Sequence, residues 1–310
     1  MSLQRICQRR VLSWSLRLTR GCERRGRLTR GMSGGGEGVS FFLNKNGHKL
    51  AYEKVAGNGP NVLYIPGTCE WSMFMNISRL FPFPGFMSGK DGEKAEHLRS
   101  HCTRLGRTFV RYDPTCIGQS EGSVEKVQFK DWVEDAAKML VEQCAGPTVL
   151  VGSSMGGWIS LLLASKVETR ELVKGLVLVA PALNFFRPHY HQMASELSEE
   201  QQAKLERGET VAVEDEYGVT YLRKSFADAS AELELDLSKP LDISVPCRIL
   251  HGARDATIPY RNSVELMEKL VGSNVELIVR KEAEHRFSEN KSLEILTKSL
   301  EDVISDIYRG

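Results

Sequence analysis

The sequence predicts a doubly wound α/β fold, with a mostly parallel sheet covered by helices on both faces and an inserted helical cap. Three observations predict it. Short continuous runs of Val, Ile and Leu recur along the chain, as in strands buried on both faces. Amphipathic helical stretches separate them, which favours parallel pairing through right-handed crossovers. Residues 182–243 lack a buried-type run and are too long for an ordinary loop, which indicates an insertion.

The N-terminal segment differs from the rest in charge. The first 36 residues contain nine arginines and one glutamate, a net charge of +8, so the remainder carries −7 of the overall +1. The mildly acidic remainder gives no support to nucleic-acid binding. An Arg-rich segment with scattered apolar residues and no long apolar core predicts a mitochondrial transit peptide over residues 1–38, with matrix localisation. The alternative is a disordered basic tail. A single domain is expected over residues 39–310.

Cysteine usage and hydropathy exclude several classes. The seven cysteines are scattered and form no C-x-x-C pair, which argues against a disulfide framework and a zinc site. No apolar run reaches the length of a membrane span. Since no nucleotide-binding loop is present either, no cofactor or metal is expected.

The predicted elements follow in order. An Asn46-Gly47 turn separates two early strands. The helix over 129–143 places its apolar residues on one face, and GLVLVA at 175–180 is a continuous buried-type strand. The cap is expected to contain helices over 195–207 and 218–233. The predicted strands cover residues 40–44, 49–55, 62–65, 109–112, 148–152, 175–180, 247–250 and 275–279, and the other helices cover 94–105, 129–143, 158–163, 264–270 and 293–307.

A glycine-flanked serine lies between a strand and a helix. The run GSSMG at residues 152–156 fits G-x-S-x-G, the nucleophile elbow, in which a strained turn exposes a serine at the carboxyl edge of a parallel sheet. By register Ser154 is the predicted nucleophile, and Ser153 occupies the variable position. The alternative is a glycine-rich packing turn without chemistry.

A candidate acid and then a candidate base follow Ser154 along the chain, which is the order that the nucleophile elbow requires. Asp255 comes just after the strand over 247–250, and His285 lies in the turn before the final helix. We predict His285 as general base and Asp255 as its orienting acid. His251 competes with His285 but precedes the acid. Neighbouring Glu282, Glu284 and Arg286 are expected to be solvated charges.

The oxyanion hole needs two backbone donors. The Met155 amide, at the start of the helix after the nucleophile, is the first. Two Pro-Gly pairs follow the strand over 62–65. The pair at 84–85 favours the Phe86 amide as the other donor, whereas the pair at 66–67 offers the Thr68 amide. The extra segment at 66–83 is rich in Trp, Met and Phe. It is interpreted as part of an acyl groove, a packing insertion, or a change that disturbs the oxyanion loop.

The motifs PGFMSG, RYDPTCIGQSEG, VLVGSSMGGW, LHGARDATIPY and EHRF resemble, in this order, the α/β-hydrolase superfamily. More narrowly they resemble its mitochondrial abhydrolase-domain acyl-protein (palmitoyl) thioesterases and acyl-glucuronide esterases. The resemblance extends from about residue 40 to the C-terminus. It implies a triad of Ser154, Asp255 and His285 and favours Phe86 in the oxyanion loop. The insertion at 66–83 and Cys116, where the family turn usually has glycine, depart from the pattern.

Together these features predict a serine hydrolase acting on acyl thioesters or esters. S-acylated proteins or acyl glucuronides are the expected substrates, with no nucleic-acid partner. Two alternatives remain: a carboxylesterase for small esters, and a non-catalytic binding protein of the same fold. A dehalogenase is disfavoured because it needs aspartate in place of Ser154. The sequence does not define the oligomeric state.

Overall fold

In a computed structural model of the chain, which describes residues 38–67, 89–215 and 218–309, one sheet of eight strands forms the centre of the fold. A separate antiparallel pair, β7 and β8, lies in the cap. The strands are β1 (Ser40–Leu43), β2 (Lys49–Val55), β3 (Asn58–Ile65), β4 (Arg107–Tyr112), β5 (Thr148–Ser153), β6 (Val173–Val179), β7 (Val211–Asp215), β8 (Gly218–Leu222), β9 (Cys247–Gly252) and β10 (Val275–Arg280).

The strand order in the sheet is β1-β2-β4-β3-β5-β6-β9-β10. β2 runs antiparallel to β1 and β4, and the remaining neighbours are parallel. The chain therefore enters through a hairpin and continues by crossovers, which confirms the predicted mostly parallel sheet. The carboxyl ends of β5 and β9 consequently lie at the same edge, where open α/β sheets bind their ligands.

Helices cover both faces of the sheet. The helices are α1 (Glu93–Arg104), α2 (Phe129–Lys138), α3 (Met155–Ser165), α4 (Phe186–Ser195), α5 (Glu199–Glu206), α6 (Lys224–Ala231), α7 (Arg261–Lys269) and α8 (Asn290–Arg309). A π-helical turn, Met139–Cys144, continues α2.

Alternation along the strands divides the core into two layers. On β3, Val62 and Tyr64 face a cluster that α1 and α8 complete, whereas Leu63 and Ile65 face a cluster completed by α2, α3 and α7. All four side chains are at most 1% exposed. Because both faces of β3 are buried, its sequence shows a continuous apolar run rather than polar alternation.

The cap contains a β-hairpin that the sequence analysis did not predict. The helix expected over 218–233 is wrong at its start, because β8 occupies its first residues and α6 begins only at Lys224. Val211 and Leu222 pair across the hairpin and are buried against α4, α5 and α6. Val211 is buried and Val213 is partly buried, which fits a strand with one face toward the helices of the cap.

The helix expected over 195–207 is also divided differently. α4 ends at Ser195, and α5 begins after Ser198, whose hydroxyl accepts a hydrogen bond from the Gln201 amide. The Gln201 side chain in turn accepts from the Ser198 amide at 3.2 Å. This reciprocal capping box starts a new helix. The predicted boundary therefore missed a capping signal present in the sequence.

Two sets of hydrogen bonds hold the cap in place. The Asn184 amide group donates to the Leu235 carbonyl and accepts from the Leu235 amide, each at 2.8 Å. This closes the two ends of the insertion against each other. The buried Arg223 guanidinium donates to the carbonyls of Glu125 and Val127, each at 2.6 Å.

The described helices include none with the length and apolarity needed to cross a lipid bilayer. One compact unit comprises Gly38–Gly310. The predicted transit peptide lies outside the described residues, except for Gly38 at its end.

Candidate active site

Ser154 occupies a strained turn between β5 and α3. Its backbone angles are φ 52° and ψ −117°, a combination that L-residues rarely adopt. Three hydrogen bonds hold the peptide there: the Ser154 amide donates to the Val179 carbonyl at 2.8 Å, and the amides of Gly157 and Ala182 donate to the Ser154 carbonyl at 2.9 and 3.1 Å. The strain points to a functional residue because the surrounding structure maintains it.

Glycines make this turn possible through close backbone approach. A Cβ on Gly156 would lie 2.1 Å from the Ile65 carbonyl oxygen, and one on Gly152 would lie 2.3 Å from the Gly156 carbonyl oxygen. No side chain fits at such distances. The glycines of the motif therefore let α3 start directly against β3 and β5.

His285 connects Ser154 to Asp255. Its Nε2 lies 3.1 Å from the Ser154 Oγ, and its Nδ1 lies 2.6 Å from the Asp255 Oδ2. His285 comes from the turn between β10 and α8, and Asp255 from the loop after β9. Because Oδ2 of a carboxylate accepts, Nδ1 carries the proton and Nε2 is left to accept from the hydroxyl. The structure thus brings the three predicted side chains into one hydrogen-bonded chain.

The Asp255 side chain is fully buried and fully hydrogen bonded. It is 0% exposed, whereas His285 is 18% exposed. Its Oδ1 accepts from the amides of Thr257 and Ile258 at 2.9 and 2.8 Å. Burial by itself raises the pKa of Asp255, but the hydrogen bonds from His251 and His285 outweigh burial and hold that pKa well below its usual range. Asp255 is therefore a carboxylate at neutral pH.

His251 lies beside Asp255, although the sequence indicated it only as a competitor for the base. It is fully buried at the end of β9, and its Nε2 lies 3.0 Å from the Asp255 Oδ2. His251 therefore contacts Asp255 and not Ser154. The sequence places His251 at the strand end and Asp255 four residues later at the same carboxyl edge, but it does not show which side chain the ring contacts.

The glutamates near the site lie at its rim. Glu282 pairs with Arg254, and both side chains are more than half exposed. Glu284 is exposed, so neither glutamate replaces Asp255. The ammonium group of Lys94 on α1 donates to the Arg286 carbonyl, which ties the turn carrying His285 to the neighbouring helix.

Ser153 has a different environment from Ser154. It ends β5, is 6% exposed, and its side chain is hydrogen bonded to the buried Tyr64. Burial raises the pKa of Tyr64, so its hydroxyl stays protonated. The hydroxyl in contact with an imidazole is that of Ser154, as the motif register predicts.

The predicted oxyanion donors are only partly within the described residues. Met155 begins α3, and first-turn amides point out of a helix at its positive end. Phe86 and Thr68 both lie outside the described residues, as does the insertion beyond Gly67. A Cβ on Gly67 would lie 2.8 Å from the Ser154 Cβ, so the chain leaving β3 passes directly beside Ser154.

The Cys116 turn has the geometry of a glycine position. Cys116 has φ 70°, in the left-handed region that a side chain disfavours. Its amide donates to the Glu121 carbonyl at 3.1 Å, which closes the turn. The departure from glycine therefore affects this turn locally.

No group of three or more His, Cys, Asp or Glu side chains within the described residues is arranged to hold a metal ion. The arrangement at the carboxyl edge consists of a hydroxyl, an imidazole and a buried carboxylate in contact. This set activates a hydroxyl as a nucleophile by general-base proton transfer.

The sheet topology and this edge define an α/β-hydrolase. The sequence pattern of the family described as "Serine aminopeptidase, S33" (Hydrolase_4) matches residues 88–291, so the chain belongs to that family of α/β-hydrolases. The chain is accordingly a serine hydrolase of this class, and the predicted superfamily resemblance is confirmed.

Curated relatives support the narrower resemblance. The chain is 28% identical over 269 residues to "Palmitoyl-protein thioesterase ABHD10, mitochondrial" of Homo sapiens, which covers 87% of this chain and 81% of that protein. The corresponding Mus musculus protein is 29% identical over 270 residues, covering 87% and 83%.

Solved structures agree on the fold. "Alpha/beta hydrolase domain-containing protein 10 from mouse" superposes with a TM-score of 0.71 at 28% identity, covering 87% of this chain and 99% of that one. Est1E from Butyrivibrio proteoclasticus, solved with ferulic acid bound, gives 0.63 at 16% identity, covering 87% and 100%. At that identity the second likeness concerns the fold alone.

Proposed function

We propose that this chain hydrolyses acyl thioesters and esters, with S-palmitoylated proteins as its substrate class, and that Ser154, His285 and Asp255 are its catalytic triad. The observation that carries the proposal is the continuous contact from the Ser154 Oγ through His285 to the buried Asp255. The similarity to proteins named palmitoyl-protein thioesterases supports the substrate class.

The first half-reaction acylates the enzyme. His285 Nε2 accepts the Ser154 proton while the Ser154 Oγ attacks the acyl carbonyl carbon. The resulting oxyanion accepts hydrogen bonds from the Met155 amide and from a second amide, for which Phe86 remains our prediction. The C–S or C–O bond then breaks, and His285 transfers its proton to the departing thiol or alcohol.

The second half-reaction releases the acid. His285 deprotonates a water molecule, which attacks the acyl-Ser154 carbonyl, and the proton returns to the Ser154 Oγ as the ester bond breaks. Asp255 stays ionised throughout, since its pKa lies well below the usual range, and it stabilises the imidazolium that forms twice per turnover.

Apolar residues at the start of the cap favour an acyl substrate. The Ala182 amide donates to the Ser154 carbonyl, so the cap insertion begins beside the nucleophile. Leu183 and Phe185, which follow, are partly exposed and pack against the apolar core cluster. A partly exposed apolar surface beside a reactive hydroxyl suits a hydrocarbon chain, because burying that chain removes apolar area from water.

We also propose that residues 1–38 act as a mitochondrial transit peptide and that the domain over 39–310 works in the matrix. The arginine-rich composition of the first 36 residues supports this, as does the word "mitochondrial" in the names of the relatives. Fusion of residues 1–38 to a fluorescent protein tests it, with all nine arginines replaced by glutamine as the control. The fusion should enter mitochondria and the control should not.

A comparison of three substrates tests the activity. The full chain is given a palmitoyl-cysteine peptide, an aryl acyl glucuronide and a short p-nitrophenyl ester, alongside Ser154→Ala. The proposal expects the highest kcat/KM on the palmitoyl thioester and loss of activity on all three in the variant. A preference for the glucuronide or the short ester would replace the substrate class, and full activity of Ser154→Ala would contradict the nucleophile.

A further inference from the structure

A second imidazole contacts the same carboxylate oxygen of Asp255 that His285 contacts. His251 Nε2 lies 3.0 Å from the Asp255 Oδ2 and 2.9 Å from the Ile258 carbonyl oxygen, and its Nδ1 lies 2.7 Å from the Ser263 hydroxyl. We propose that His251 is a positioning residue that holds Asp255 in place and ionised for its work with His285. This inference rests on the proposed function of the triad.

The surroundings of His251 determine which nitrogen carries the proton. A carbonyl oxygen can only accept, and so can an ionised carboxylate, so the Nε2 facing both must donate. Nδ1 faces the Ser263 hydroxyl, which is able to donate to it. The neutral tautomer that satisfies all three contacts therefore carries its proton at Nε2 and shares this N–H between Asp255 and the Ile258 carbonyl.

This proton completes the hydrogen bonding of Asp255. Oδ2 receives the Nδ1–H of His285 and the Nε2–H of His251, while Oδ1 receives the amides of Thr257 and Ile258. Four donors on a buried carboxylate leave it little freedom to rotate. Because Oδ2 is shared, the strength of the His251 contact influences how strongly Asp255 attracts the His285 proton.

The ionisable groups facing the carboxylate come from two elements. His251 lies at the end of β9 and His285 after β10, and within the described residues they are the ionisable groups in contact with Asp255. Arg254 on the same loop pairs with Glu282 at the exposed rim. Helix α7 supplies Ser263 to His251, a neutral group. The protonation behaviour of this carboxylate therefore depends chiefly on two imidazoles.

Two amide substitutions separate the contacts of His251. In His251→Gln the side-chain amide nitrogen reaches the place of Nε2 and can still donate to Asp255. In His251→Asn the amide reaches the place of Nδ1, near Ser263, and leaves Asp255 without this donor. Both variants bury an amide of similar polarity, so a merely structural role for His251 would make them behave alike. His251→Leu removes both contacts.

The expected results differ between the variants. His251→Asn and His251→Leu should lower kcat about 10- to 100-fold at unchanged KM, the effect of one hydrogen bond to a charged group. With one donor fewer, Asp255 becomes more basic and stabilises the imidazolium of His285, so the acid limb of the kcat/KM profile should move to higher pH. His251→Gln should remain within a few-fold of wild type with the acid limb in place.

A proton resonance provides a readout independent of turnover. The Nδ1–H of His285, in its short contact with Asp255, should give a far-downfield signal in proton NMR that shifts in His251→Asn and persists unshifted in His251→Gln. Equal kcat, acid limb and resonance in the Asn and Gln variants would overturn the positioning role. Absence of acyl hydrolysis in wild type would instead contradict the proposed function, while the NMR comparison would still test His251.

Discussion

Among the histidine–carboxylate contacts of the described residues, those of His285 and His101 lie at opposite edges of the sheet. At the carboxyl edge, His285 contacts Asp255 at 2.6 Å. On α1, His101 contacts Glu301 of α8 at 3.0 Å, and Glu301 also pairs with Arg107 at the first residue of β4, which places this contact at the amino edge. Both contacts satisfy the description of an imidazole oriented by an acid.

The two pairs differ in burial and in what the second ring nitrogen contacts. Asp255 is 0% exposed and Glu301 is 29% exposed. His285 Nε2 faces the hydroxyl of a residue in a strained turn, whereas His101 Nδ1 faces the Arg104 guanidinium, itself a donor. An imidazole between a guanidinium and a carboxylate has no nucleophile to activate. The group that faces the second nitrogen therefore separates these two pairs: for His285 it is a hydroxyl in a strained turn, and for His101 it is a guanidinium.

Replacement of the two acids should give the largest difference. Asp255→Asn should lower kcat about 10⁴-fold, because the amide donates toward His285 and favours the wrong tautomer. Glu301→Gln should leave kcat within about twofold, since it lies far from the nucleophile. Steady-state kinetics on one thioester substrate measures both, and similar losses in the two variants would contradict the comparison.

Two glycines on either side of β5, Gly156 in the first turn of α3 and Gly146 before the strand, provide a second contrast in how closely the backbone is packed. Gly156→Ala places a Cβ 2.1 Å from the Ile65 carbonyl oxygen, so it should destabilise the fold by about 3 kcal/mol and displace Ser154. Gly146, before β5, has no atom nearer than 3.6 Å to its ideal Cβ. Gly146→Ala should change stability by less than about 1 kcal/mol. Urea unfolding and kcat test both, and a tolerated Gly156→Ala would argue against a tightly packed elbow.

The depressed pKa of Asp255 predicts a pH-dependent contribution to stability. A group whose pKa is lower in the folded state stabilises it above the unfolded pKa, about 4 for aspartate, and this stabilisation is lost as the pH falls toward the folded pKa. The free energy of unfolding of wild type should therefore exceed that of Asp255→Asn at pH about 6. The gap should narrow as the pH decreases from about 4 to 2. A difference in unfolding free energy that stays constant over this pH range would mean that the pKa of Asp255 is the same in the folded and unfolded states.

Removal of the His101 imidazole should have the smallest effect on stability and activity. His101→Leu breaks a partly exposed pair, so it should lower stability by less than about 1 kcal/mol and leave kcat/KM within about twofold. It is the matched control for His251→Leu, which removes a buried imidazole–carboxylate contact at the other edge. A large loss of activity in His101→Leu would show that α1 and α8 influence the site more than their contacts indicate.

The sequence predicted the sheet and the order of the three side chains better than it predicted their surroundings. Continuous runs such as GLVLVA reveal buried strands because burial on both faces removes alternation. The positions of Ser154, Asp255 and His285 follow from the G-x-S-x-G motif, the chain order and the strand ends that precede these residues. The role of His251 does not, since its ring could face either the nucleophile or the acid until side-chain directions are known.

The cap shows a second limit of sequence reasoning. Val211 and Leu222 become buried only because α4, α5 and α6 pack around the hairpin, a tertiary effect that a local pattern of mixed polar and aromatic residues does not reveal. The split between α4 and α5, by contrast, was readable from the Ser198 and Gln201 spacing.

The central claim is that the imidazole of His285 activates the Ser154 hydroxyl. Fluorophosphonate labelling of the full chain, followed by peptide mass mapping, tests it most directly. We expect a single adduct on Ser154 in wild type and in His101→Leu, none in Ser154→Ala, and labelling slowed at least about 10³-fold in His285→Ala. An adduct on Ser153, or equally fast labelling without His285, would contradict the claim.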